Sequence, residues 1–191
     1  MIAKRMTSAL AALVLLLPLP VRAADFDLAR LNDGGYVVLL RHVTAGGSDA
    51  DDFDLADCRT QRQVGPSGRS EAEALAARFK AAGVTRAEVR SSQWCRALQT
   101  AELLGLGPVI EEPRLNYYHW KLGSEEAMNA ALRDYLAGLQ SPPPGAPLVL
   151  VSHSTAFTIV GLEAPKAGGG LVLRPNGTAK PEVAGTIAAP E

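Results

Sequence analysis

Two apolar segments of this chain end in the same way. Val37-Val38-Leu39-Leu40 runs into Arg41-His42, and Leu148-Val149-Leu150-Val151 runs into Ser152-His153. Short runs of aliphatic and β-branched residues read as strands buried on both faces of a parallel sheet. In open α/β sheets the ligand crevice lies beyond the carboxyl ends of such strands. A polar pair at the end of each strand therefore falls at the crevice and not in the core. Between the two lies Ser91-Ser92-Gln93-Trp94-Cys95-Arg96-Ala97-Leu98-Gln99-Thr100-Ala101, which adds a second arginine. Two histidines and two arginines are an inventory for binding a phosphoryl group and attacking it.

The remaining elements alternate in type. The first strand covers Tyr36 to Leu40. A long polar loop, Thr44 to Gly65, carries Asp49, Asp51, Asp52, Asp54 and Asp57, and a run of acids in a loop reads as solvent-facing. Ser67 or Ser70 caps a helix through about Ala82, with Ala72, Leu75, Ala76 and Phe79 on one face. A second strand, Glu88 to Ser91, precedes a helix from about Gln93 to Leu104, and Pro108 to Glu111 reads as a third strand. Ser124 caps a helix through about Leu139, with Glu125 and Glu126 suited to its positive first turn. Pro142-Pro143-Pro144-Gly145 breaks the chain before the strand Leu148 to Ser152. A short helix, Thr155 to Leu162, and a strand, Leu171 to Leu173, follow, and the tail either adds an edge strand or lies loose. Strands alternating with helices predict one α/β domain.

The three motifs together resemble the histidine phosphatase superfamily, the group that includes phosphoglycerate mutases and acid phosphatases. Arg41-His42 resembles its opening pair, the segment Ser91 to Ala101 its second-arginine motif, and Val151-Ser152-His153 its second-histidine strand. The resemblance spans about Gly35 to about Pro175. It implies a three-layer α/β sandwich with a mostly parallel central sheet, phosphoglycerate mutase-like. It also implies that a small phosphorylated substrate is hydrolysed through a phosphohistidine on His42, with no cofactor and no metal. Two positions depart from the family pattern: Val43 stands where glycine usually follows the first histidine, and Ser154 stands where acid phosphatases carry an acid.

The roles follow from chemistry. Guanidinium groups grip phosphate bidentately and stay charged, which suits Arg41 and Arg96. A neutral imidazole nitrogen is a competent nucleophile, which suits His42, provided a backbone carbonyl holds its other nitrogen as a donor. His153 suits stabilisation of the transferring group. Glu111 and Glu112 are the candidate general acids, and their bland alternative is an ordinary solvated pair. His119, in Tyr117-Tyr118-His119-Trp120, either lines the substrate mouth or packs in an aromatic patch; packing is the favoured reading.

The N-terminus reads as a signal peptide over residues 1–23. Lys4 and Arg5 precede an apolar run from Ala9 to Leu19, and Val21-Arg22-Ala23 supplies a cleavage site before Ala24. The run falls short of the roughly 20 residues of a membrane span. An uncleaved anchor is the alternative. Export predicts a periplasmic or secreted protein, no membrane partner after cleavage, and a single domain over 24–191. Cleavage would take the formal charge from −1 to −4, and the basic residues are scattered, so nucleic acid is not an expected partner. An even count of two cysteines in an exported chain predicts a Cys58–Cys95 disulfide, with two unpaired buried thiols as the alternative.

Other chemistries lack their signatures. The three histidines and two cysteines lack metal-ligand spacing. There is no Gly-x-Ser-x-Gly elbow, and Gly168-Gly169-Gly170 is not followed by the residues of a P-loop. Two rival readings remain. One is a catalytically silent phosphate-binding or interaction protein on the same fold. The other is a mutase, which export disfavours because its phosphodonors are cytoplasmic.

Overall fold

A computed structural model describes residues 25–190 of the 191-residue chain. The predicted signal peptide lies outside the described residues. The elements are β1 (Val37–Arg41), β2 (Ala45–Gly46), β3 (Gln63–Val64), α1 (Pro66–Ala81), β4 (Glu88–Ser91), α2 (Cys95–Leu104), β5 (Val109–Glu111), α3 (Glu125–Ala137), β6 (Leu148–Ser152), α4 (Ser154–Thr158), β7 (Gly170–Arg174) and β8 (Glu182–Ile187).

Six strands form one sheet in the order β5-β4-β6-β1-β7-β8. β5, β4, β6 and β1 are mutually parallel, while β7 runs antiparallel to β1 and β8 antiparallel to β7. Successive side chains of a strand face opposite sides of its sheet, and the continuous apolar runs serve both. Val38, Leu40, Val149 and Val151 pack with Leu75 and Phe79 of α1 and Ala97, Ala101 and Leu104 of α2. Val37, Leu39, Leu148 and Leu150 pack with Leu132 and Leu136 of α3 and Ala156 and Phe157 of α4. Helices thus cover both faces, and the fold is the three-layer α/β sandwich expected.

Several local expectations change. The tail is an edge strand, β8. α1 starts at Pro66 with Gly65 as its N-cap and no side-chain cap. Proline at the first helical position lacks an N–H that would have gone unpaired there, so no serine cap is needed. Ser67 instead bonds Glu71 (Oγ···Oε1 3.3 Å). α4 is shorter than expected, five residues. The polar loop is organised by the β2–β3 pair and a 3-10 turn at Cys58–Thr60.

Two glycines allow close backbone approach on either side of Arg41-His42. A Cβ at Gly68 would stand 2.0 Å from the Thr44 carbonyl oxygen, so only glycine lets α1 approach that backbone. Gly170 opposes Leu40 across β1 and β7 and would place a Cβ 2.7 Å from the Leu39 oxygen. Cys58 and Cys95 form a disulfide with Cα atoms 5.6 Å apart. It fastens the first residue of α2 to the polar loop.

The bridge closes a loop with a sequence separation of 37. By the chain-entropy argument, its reduction should cost about 4 kcal/mol of stability. The oxidised protein should show no titratable thiol when denatured, and its urea midpoint should drop on adding reductant. An unchanged midpoint would mean that the bridge does not hold the loop.

Candidate active site

The register of the central strands builds the site. β1 and β6 pair in parallel with Arg41 opposite Ser152, and the next amide, His42 N, donates to the Ser152 oxygen (2.9 Å). β4 pairs with the other edge of β6, and Ser92 N donates to the Val151 oxygen (2.9 Å). His42, His153 and Ser92 therefore emerge side by side at the carboxyl ends of three adjacent strands. The two imidazole rings lie edge to face, 5.2 Å between centroids.

Hydrogen bonds fix the tautomer of His42. Nδ1 lies 2.7 Å from the Val43 carbonyl oxygen, which can only accept, so Nδ1 carries the proton. Nε2 therefore presents a lone pair, and it receives a hydrogen bond from Arg96 Nε (3.2 Å). Burial, opposed by the Val43 carbonyl and reinforced by Arg96 and Arg41, lowers the pKa of His42 from 6.5 to about 4. The ring is thus neutral at any pH above that range.

Arg96 projects from the first turn of α2 and is 1% exposed. Its guanidinium stacks on Trp94, 4.7 Å from the ring centroid, and Nη1 donates to Asp49 Oδ1 (3.3 Å). Arg41 Nη1 donates to the Pro165 oxygen (3.0 Å), while its buried Nε has no hydrogen-bond partner. Both cations border His42, so a phosphoryl group on Nε2 would meet positive charge.

Val43 does not intrude on the site. It is fully buried, and its amide donates to Thr100 Oγ1 (3.2 Å). Thr100 in turn donates to the Arg96 oxygen (2.7 Å).

His153 is 4% exposed, and burial, with Arg96 and His42 adding to it, lowers its pKa well below 6.5. Its Nε2 lies 2.8 Å from Ser92 Oγ. Asn116 Oδ1 accepts from both Ser92 Oγ and Gln93 N, each at 2.8 Å. Ser92 has one proton and gives it to Asn116, so His153 Nε2 must donate to Ser92. Its Nδ1 then becomes a donor only when the ring is an imidazolium, a state that a neighbouring phosphate dianion favours.

The candidate acids lie differently. Glu112 caps the 3-10 turn at Pro113–Leu115 and pairs with Arg114 (Oε2···Nη2 2.5 Å). The Arg114 hydrogen bonds, partly opposed by burial, hold its carboxyl below the usual carboxylate range. A carboxylate kept ionised in this way is a structural cap and a poor proton donor. Glu111, at the exposed end of β5, accepts from Gln93 Nε2 (3.1 Å). Asp49 is not solvent-facing as expected. Burial raises its pKa, but hydrogen bonds from Arg62 and the charges of Arg96 and Arg62 outweigh this and lower it. His119 packs against Phe53 (centroids 4.6 Å) and also lines a cleft of about 700 Å3 with Tyr117, Trp120, Asp49 and Arg62. The packing reading therefore describes the residue, which also borders this cleft.

Sequence reasoning missed Asn116, Asp49 and Arg62. Asn116 follows a 3-10 turn after β5 and reaches Ser92 through the β4–β5 pairing, so no local pattern signalled it. Asp49 and Arg62, 13 residues apart, meet through the β2–β3 pair.

The sheet brings two histidines and two arginines to one crevice at the carboxyl ends of its parallel strands. The sequence pattern of the histidine phosphatase superfamily (branch 1) matches residues 37–147, and the chain belongs to that superfamily. No curated protein matches it. Among solved structures, it is similar to the protein histidine phosphatase SixA complexed with tungstate. The two are 18% identical with a TM-score of 0.56, over 80% of this chain and 96% of that one. It is also similar to a mycobacterial glucosyl-3-phosphoglycerate phosphatase complexed with VO3, at 17% identity and a TM-score of 0.59, over 81% and 99%. A third, TTHB049 from Thermus thermophilus, is 18% identical with a TM-score of 0.54, over 80% and 99%. At such identities the likeness to each structure is one of fold.

Two buried neutral histidines make stability depend on pH. Their folded pKa values lie below the unfolded 6.5, so the unfolded chain binds more protons as the pH falls from 6.5 toward 4. Stability is fully present above 6.5 and lost on acidification through that window, by about 1 kcal/mol per pH unit for each histidine. Urea midpoints measured from about pH 7.5 to about pH 4.5 should fall, and fall less in His42→Ala. A flat profile would contradict the buried neutral rings.

Proposed function

We propose that this protein is an exported, metal-independent phosphatase that hydrolyses a phosphomonoester or related phosphoryl compound through a phosphohistidine on His42. The observation that carries this reading is the fixed tautomer of His42. Nδ1–H is held by the Val43 carbonyl, and the Nε2 lone pair faces Arg96. In-line phosphoryl transfer is mostly positioning and charge neutralisation. Arg41 and Arg96 grip the equatorial oxygens as His42 Nε2 attacks phosphorus and the bond to the leaving oxygen breaks. His153, as imidazolium, donates to the group as its charge builds. Water then attacks phosphorus, the P–N bond breaks, and phosphate leaves. Superfamily membership supports the reaction class. Tungstate and VO3, named with two of the similar structures, are phosphate-like oxyanions, which supports the ligand class.

Export rests on the N-terminal sequence, and the Cys58–Cys95 disulfide supports it. The silent-binder reading keeps one observation in its favour: the Glu112 carboxyl is committed to Arg114. Substrates with good leaving groups, such as phosphoanhydrides and phosphoramidates, need less help from an acid.

In this reading the mature protein turns over p-nitrophenyl phosphate, and His42→Ala removes turnover while circular dichroism stays native. Tungstate should compete with substrate, and EDTA should leave the rate unchanged. Turnover near the parent rate in His42→Ala would refute the mechanism. Activity lost on chelation and restored by zinc or magnesium would place the enzyme in another class.

A further inference from the structure

An alkoxide leaving group needs a proton, and the carboxyl groups around the pocket are poorly placed to give one. Glu112 is held ionised by Arg114, and Asp49 by Arg62 and Arg96. Glu111 sits on an exposed strand end against Gln93. Ser92 has already given its proton to Asn116.

One phenol borders the pocket. The Tyr117 ring packs 4.9 Å from His153 and 4.6 Å from Trp94, centroid to centroid. The Arg96 guanidinium carbon stands 5.3 Å from its centroid. Tyr117 also lines the cleft with Asp49, Arg62, His119 and Trp120, and this cleft adjoins the crevice through Asp49, which accepts from Arg96. The Arg96 charge thus stands close enough to the ring to favour a phenolate there.

We propose that Tyr117 is the catalytic acid that protonates the leaving oxygen. This rests on the phosphohistidine reading above. As the bond between His42 Nε2 and phosphorus forms, the P–O bond to the leaving group breaks. The electron pair passes to that oxygen, which takes the Tyr117 proton. A phenol is a far stronger acid than an alcohol yet keeps its proton through the neutral range, so transfer to a departing alkoxide is downhill. The phenolate is left beside Arg96, whose charge stabilises it. In the second half-reaction the attacking water loses its proton to the phenolate, and the P–N electron pair returns to His42. The site is restored with no further co-reactant.

Leaving-group dependence separates this role from packing. A nitrophenolate departs without help, whereas an alkoxide does not. Tyr117→Phe keeps the ring stacked and removes only the hydroxyl. Its kcat/KM for glycerol phosphate should fall by roughly 10²-fold or more beyond any fall for p-nitrophenyl phosphate, while its affinity for tungstate moves little. Parallel losses on both esters, or no loss on the alkyl ester, would overturn the proposal. Lost tungstate binding would do the same, by showing that the hydroxyl is needed to form the pocket. His42→Ala assayed on both esters tests the underlying reading separately. Turnover surviving in that variant refutes the phosphohistidine and leaves the Tyr117 result to stand or fall on its own contrast. A parent protein that hydrolyses neither ester overturns both.

Discussion

The site depends first on the parallel pairing of β1 with β6. Arg41 stands opposite Ser152, and the His42 amide donates to the Ser152 oxygen. This one register brings two histidines, more than a hundred residues apart in sequence, to a ring separation of 5.2 Å. A slip of one residue would turn Leu40 and Val151 to the wrong helical layer, because strand side chains alternate faces. The core and the site are thus specified by the same hydrogen-bond ladder. α1 adds a second constraint: Gly68 lets its backbone close on Thr44, and Glu71 Oε2 accepts from the Thr44 amide (2.8 Å). The turn that orients His42 is clamped on both sides.

Burial sets the chemistry of the site and also its cost. Desolvation disfavours charge on His42 and His153 and leaves both rings neutral. The same desolvation bears on Arg96, which stays cationic because a guanidinium does not give up its proton in proteins. An unpaired buried charge costs several kcal/mol. Asp49 offsets this by receiving an Arg96 hydrogen bond, while Trp94 and Tyr117 present their ring faces to the cation. Arg62 fixes Asp49 from the other side. A bound phosphoryl dianion would share this compensation, adding negative charge where one carboxylate faces several cations.

The polar loop is therefore part of the site. It supplies Asp49, Arg62 and Phe53, and the disulfide ties it to α2 one residue before Arg96. Gln61 Oε1 accepts from the Cys95 amide (3.0 Å), and Gln99 Oε1 accepts from the Val64 amide (2.8 Å), so the tether is reinforced along the helix. Phe53 stacks on Trp94, which stacks on Tyr117, which meets His153.

What the sequence determined by itself was whatever is written locally. The apolar runs before Arg41-His42 and Ser152-His153 announced buried parallel strands, their order with the helices pointed to an α/β domain, and the three motifs, through the family resemblance, implied the three-layer class and the candidate residues of the crevice. Ser124 marked the start of α3 because a cap is a contact across three residues. The tertiary structure alone decided what depends on distant segments meeting. It made Asp49 a partner of Arg96, gave Glu112 to Arg114, and fixed the donor nitrogen of His153 through Ser92 and Asn116. It also placed Tyr117 between His153 and the cleft. A residue type carries its chemistry in its own atoms, but its protonation and its role are set by the dielectric and the partners around it, and those exist only once the sheet has brought its strands together.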